Sequence, residues 1–237
     1  MATGAPIRMN TVPLRMSMTT YMTTYMTTDV LTLSQLLSPS FPVGAFAYSH
    51  GLETAMSEGR VVSAQSLQSW LLDLLEYGGA RSDAVLLSAS FGAPKNTVAK
   101  IDAHARSFAA SAERLKETDL QGAAFCETVE TVWGIELGRL CYPVAVGRAA
   151  EALSLDPELA TAMYLQSFIA NLTAAAMRLV PLGQVDGQKT QIALKPHCTE
   201  IAKQLQSSTL DDLHNCAWLS DIAAMRHETQ YSRVFRT

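Results

Sequence analysis

The stretch that most limits how this chain can fold is Ser38-Pro39-Ser40-Phe41-Pro42-Val43-Gly44-Ala45-Phe46-Ala47-Tyr48-Ser49-His50-Gly51. Pro39 and Pro42 fix their own φ and push Ser38 and Phe41 out of the α region, so no helix continues through them. Gly44 and Gly51 each open one position to unusual φ/ψ. Between them Phe46, Tyr48 and His50 alternate with the small residues Ala45, Ala47 and Ser49. The pattern predicts a rigid non-helical elbow over 38–51, leading into a short aromatic segment whose rings can face a partner. An ordinary helix-to-helix loop would use the same residues, and pattern alone does not separate the two.

Helical signals surround the elbow. Hydrophobic residues make up 48% of the 237 positions but aromatics only 7%, so the apolar content is mostly Ala and Leu, which favours helices over short strands. Leu33, Leu36 and Leu37 form one stripe, ended by Pro39. Ser63 suits an N-cap, followed by Leu67, Trp70, Leu71, Leu74 and Leu75 at helical spacing, with Gly78-Gly79 as the stop. A further helix starts at Arg81 or Ser82 and breaks at Gly92 and Pro94. Val98, Ile101, Ala105 and Phe108 share a face. Thr118-Asp119-Leu120-Gln121 reads as a capping box for a helix ending at Gly134. Pro143 opens another helix, and Asp156-Pro157-Glu158 opens the longest, which Pro181 terminates. A last one begins near Asp186, with a kink or break expected at Pro196. No stretch alternates with period two. The fold class expected is an all-α, single-domain helical bundle of residues 29–237.

Residues 1–28 are different material. A Met-Thr-Thr-Tyr repeat runs from Met18, no acidic residue precedes Asp29, and no apolar face develops. The expectation is a disordered low-complexity leader, although Arg8 and Arg15 in Thr-rich sequence also fit a transit peptide.

A net charge of -4 gives no general electrostatic reason to bind nucleic acid or an anionic membrane. No apolar run approaches the ~20 residues that span a bilayer. Cys126, Cys141, Cys198 and Cys216 form no C-x-x-C pair and read as buried thiols of a reducing compartment. There is no phosphate loop, no G-x-S-x-G elbow and no H-E-x-x-H. The nearest metal-like set is His50 with Glu53, joined by His227 and Glu228 from the other end of the chain. It leaves open a small helical nickel-binding protein or metalloenzyme, while adjacent His227 and Glu228 point to different helix faces. His104, His197 and His214 read as surface or structural. Near the C-terminus Arg226, Arg233 and Arg236 interleave with Tyr231 and Phe235, within reach of Glu228. Arg and aromatic residues together are common at interface hot spots, and a basic helix end complementing the macrodipole is the plainer account.

The elbow block, continued as Ser49-His50-Gly51-Leu52-Glu53, resembles the signature of the UreF family of urease accessory proteins. Asp221 through Arg236 is similar to that family's ending, and Asn171-Leu172, Arg178 to Gln184 and Asp186-Gly187-Gln188 match its pattern in the same order. Val234 stands where the family usually has Leu. The resemblance implies a cytoplasmic, all-helical homodimer without an active site of its own. Its expected partners are UreD (UreH in some naming), through which it reaches apo-urease, and the nickel-carrying GTPase UreG, whose GTP state it would couple to nickel insertion. Residues implied against UreD are Phe41, Pro42, Gly44, Phe46, Tyr48 and His50, then Arg226, Glu228, Tyr231, Arg233, Phe235 and Arg236 in an interaction tail over 226–237. Asn171, Arg178 and Gln184 would line a nickel channel or the UreG side. No cofactor is expected to bind stably; nickel in transit is the only metal implied.

Overall fold

The computed structural model describes residues 18–236, and the side chains of 27–236. Among them there are helices and short 3-10 turns but no strand, as expected of an all-α chain. Helix α1 spans Met18–Leu36 and stops before Pro39. It therefore starts inside the Met-Thr-Thr-Tyr repeat, which lacks Gly and Pro and offers nothing to break a helix. The expected boundary at 28/29 falls within it, and residues 1–17 of the expected leader lie outside the described residues.

After the elbow come α2 (Leu52–Ser57), α3 (Ala64–Tyr77) and α4 (Gly79–Ser90). Ser63 caps α3: its hydroxyl accepts from the Ser66 amide while Ser66 Oγ accepts from the Ser63 amide. All five apolar positions of the α3 stripe are buried. α4 follows after the single residue Gly78, earlier than the expected start at Arg81 or Ser82.

Helix α5 (Lys95–Ser107) buries Val98, Ile101 and Ala105, and α6 runs from Ala112 to Trp133. Here the expected capping box fails. Ser111 is the cap, accepting from the Arg114 amide at 3.1 Å, and Thr118 and Gln121 lie buried within α6. The Gln121 amide donates to Glu117 one turn earlier rather than to a cap backbone, so a T-x-x-Q pattern inside a helix imitated its start.

Helix α7 spans Tyr142–Ala152 with Pro143 in its first turn, and α8 spans Pro157–Leu179 behind the Asp156 cap, which accepts from Leu159 N at 2.7 Å. α9 (Gln184–Gln204) passes through Pro196 without a break. Its packing along α8 and α3 buries Leu194, Cys198 and Ile201 on both sides of the proline, which holds the helix despite the missing N–H. A final helix, α10 (Trp218–His227), carries Arg226 and His227 in its last turn, the basic helix end the sequence offered, while its start behind Ala217 has no side-chain cap to announce it.

The core consists of two clusters. One gathers Leu33, Leu36, Phe41, Phe125, Val129, Val144 and Tyr164; the other Leu52, Leu67, Leu71, Leu165, Ile169, Leu172 and Ile201. Helices α4 and α8 contribute to both, so α8 is the spine of the fold. Each fully buried Leu or Ile along it contributes roughly 1.5–3 kcal/mol relative to exposure. Of the cysteines, Cys126, Cys141 and Cys198 are buried, but Cys216 is exposed, contrary to expectation. Burial pushes the Cys198 thiol up to about 12. No helix among the described residues is long and apolar enough to cross a membrane.

Candidate interaction surface

The elbow is built as a strained turn with its rings divided between core and solvent. Gly44 takes φ +71° and opens a 3-10 turn, Ala45–Ala47. His50, unusually for a non-glycine residue, takes φ +52°, and Gly51 follows at +74°. A Cβ on Gly51 would lie 2.6 Å from the Ala224 amide nitrogen, so only glycine lets the elbow rest on α10. Phe41 is buried and packs on Phe125 and Trp133 with ring centroids 5.3 and 6.4 Å away. Tyr48 is buried as well. These two anchor the elbow and do not present rings to solvent. Phe46 does: it is 59% exposed.

Two residues of the expected channel hold this turn in place. Asn171 Nδ2 donates to the carbonyls of Ala45 and Tyr48 at 2.9 and 3.4 Å, and Arg178 donates to Phe46 O at 3.3 Å. Both also line a cavity of about 410 Å³, with Val43, Phe46, His50 and Glu117 among its walls. Gln184, the first residue of α9, is exposed and does not line it.

Beneath the elbow lies a buried ionic layer. His50 Nε2 is 3.0 Å from Glu117, Arg114 reaches Asp83 at 2.6 Å and Glu117 at 3.4 Å, and the Tyr164 hydroxyl donates to Asp83 at 2.8 Å. Burial opposes the Glu117 charge, but His50 and Arg114 outweigh it and hold the carboxyl below its ordinary range. Burial likewise opposes the Arg114 charge, and Asp83 and Glu117 outweigh it in turn, raising its pKa. Tyr164 is pushed well up by burial and then by Asp83.

The terminal block folds onto this assembly. The Arg236 amide donates to Ala47 O at 2.7 Å. Val234 N and Phe235 N donate to the two carboxylate oxygens of Glu53 at 2.7 and 2.9 Å. The Thr54 hydroxyl donates to Gln230 at 2.9 Å, and the Phe235 ring is buried. His227, fully buried, lies between Glu113 (Nδ1, 2.7 Å) and Glu53 (Nε2, 3.2 Å). Arg233 pairs with the other oxygen of Glu113 at 2.6 Å, and Glu228 accepts from the Ala112 amide at 2.8 Å in the first turn of α6. Arg226 pairs with Glu58 at 2.9 Å. The Tyr231 side chain touches solvent on every side, and Val234 is also exposed.

The structure joins the two blocks that the sequence singled out. His50, Glu53, His227 and Glu228 do not converge on one point: His50 turns to Glu117, and Glu228 to the α6 amide. Among the described residues no group of three His, Cys, Asp or Glu is placed to hold a metal ion. Glu113, which joins the terminal block to α6, was missed; a first-turn glutamate carries no local signal beyond its favourable place at a helix start. His104 and His214 bind nearby carbonyls, and His197 faces Glu76.

Comparison with known proteins identifies the family. The UreF family model matches residues 61–195. A protein of Roseobacter denitrificans named urease accessory protein UreF is 53% identical over 207 residues, covering 87% of this chain and 93% of its own length. Proteins of the same name from Ruegeria pomeroyi and Ruegeria sp. (strain TM1040) are 48% and 51% identical, each aligned over most of both chains. These relatives cover 87–88% of this chain at about half identity, and the chain belongs to the UreF family.

Proposed function

We propose that this chain is a non-enzymatic adaptor of urease maturation, whose elbow and terminal block together form the face that receives UreD. The observation that carries the reading is the closure of the two blocks on one another, Arg236 on Ala47 and Val234–Phe235 on Glu53. Rigid anchors (Phe41, Tyr48, Phe235) lie beneath exposed Phe46, Tyr231 and Val234, the arrangement of a preorganised binding patch. In this reading the chain acts in the cytoplasm as a homodimer, engages the GTPase UreG elsewhere on its surface, and passes nickel as cargo. The cavity beside the elbow, with Glu117, His50 and Asn171 in its wall, supports such a path.

Co-purification of the tagged chain with its host's UreD and UreG, followed by mass measurement, tests the proposal. A complex containing two copies of each is expected. A monomer capturing neither partner overturns it.

A further inference from the structure

We propose that Glu53 is the positioning residue of this recognition surface: its carboxylate holds the terminal block in the geometry that binds, without itself touching the partner. The inference rests on the reading above that the joined face receives UreD.

Three observations converge on it. Glu53 is only 5% exposed, on a two-turn helix directly after the strained His50–Gly51 turn. Its two oxygens take successive main-chain amides of Val234 and Phe235, and one of them also faces His227. Those contacts are main-chain, so they set the path of the terminal segment whatever its side chains are. The remaining groups complete a chain of hydrogen bonds: His227 runs from Glu53 to Glu113, and Glu113 to Arg233 in the same terminal segment. Besides Glu53 and Ala47, Arg233 on Glu113 and the buried Phe235 ring also hold the segment beyond Gln230. Removing the carboxylate therefore frees a segment that carries Tyr231 and Val234, two of the three exposed apolar side chains of the patch. An isosteric amide shows why charge and acceptor number both matter. Gln at this position offers one acceptor oxygen, and its NH2 would face the donor of either Val234 or Phe235. A protein whose binding-competent form is populated only fractionally binds more weakly by that fraction.

The test combines Glu53→Gln with deletion of residues 230–237, singly and together, and reads amide hydrogen exchange at Val234 and Phe235 beside UreD capture. Glu53→Gln is expected to speed exchange at both amides about tenfold or more and to weaken capture about tenfold. In the deleted chain it should weaken capture no further, because nothing remains to position. Val234→Pro reaches the same contact from the exposed side, removing one donor, and should reproduce the faster exchange at Phe235 and the weaker capture even if Glu53→Gln fails to fold. Unchanged exchange, or wild-type capture by both variants while the deletion abolishes it, overturns the role of Glu53. Capture that survives the deletion overturns the UreD reading instead, and the exchange rates then judge Glu53 alone.

Discussion

The main-chain amide of Arg236 donates to Ala47 O at 2.7 Å, so the last described residue of the chain reaches the elbow beside its buried anchor Tyr48. Burial and then Glu117 raise the Tyr48 pKa, while Arg236 works the other way. A raised phenol contributes stability that is present below its ordinary value of 10.0 and is lost as pH rises through the folded value. Arg236→Ala should push tyrosinate formation at this position to still higher pH, readable by ultraviolet titration against Tyr48→Phe. A Tyr48 transition left unmoved would show that the guanidinium does not govern the phenol.

Gly51 and Gly44 share a left-handed backbone but not a neighbourhood. Gly44→Ala meets nothing within 4 Å and should cost about 1 kcal/mol, the backbone penalty alone. Gly51→Ala adds a collision with the α10 main chain and should cost about 3 kcal/mol or more. Urea unfolding of the two variants checks the difference; equal costs would mean that α10 yields easily.

Arg114→Leu leaves Asp83 and Glu117 buried without their cation and should destabilise by about 3–5 kcal/mol. The pH dependence should change with it. Glu117, held low, contributes stability present above its ordinary value of 4.5 and lost as pH falls through the folded value. Without Arg114 that loss should be smaller and complete at higher pH, which thermal unfolding at acidic pH would reveal.

Phe46→Asp should leave the unfolding midpoint within about ±0.5 kcal/mol of the parent, because the ring is mostly in solvent. UreD capture should nevertheless fall at least tenfold if the patch is used. Intact capture would place the contact elsewhere on the elbow.

Local chemistry made much of this legible. Pro39, Gly44 and Gly51 announced the elbow, while Ser63, Gly134 and Asp156 marked helix ends, because each acts through its own or adjacent backbone. What failed was decided by tertiary neighbours. Thr118–Gln121 looks like a helix start until α6 is seen to begin at Ser111. Pro196 looks like a break until α8 and α3 are packed beside it. His227 and Glu53 could be suspected of meeting, but only the fold supplies Glu113, which makes the meeting a hydrogen-bonded latch.

The bond from the Ala112 amide to Glu228 ties the start of a central helix to the end of the chain. During synthesis the first turn of α6 emerges from the ribosome long before the glutamate that completes it. The elbow, too, waits for residues 234–236, which are translated well after it. Translation separates the two halves of this joint, so the elbow rests on its mate only once both have emerged.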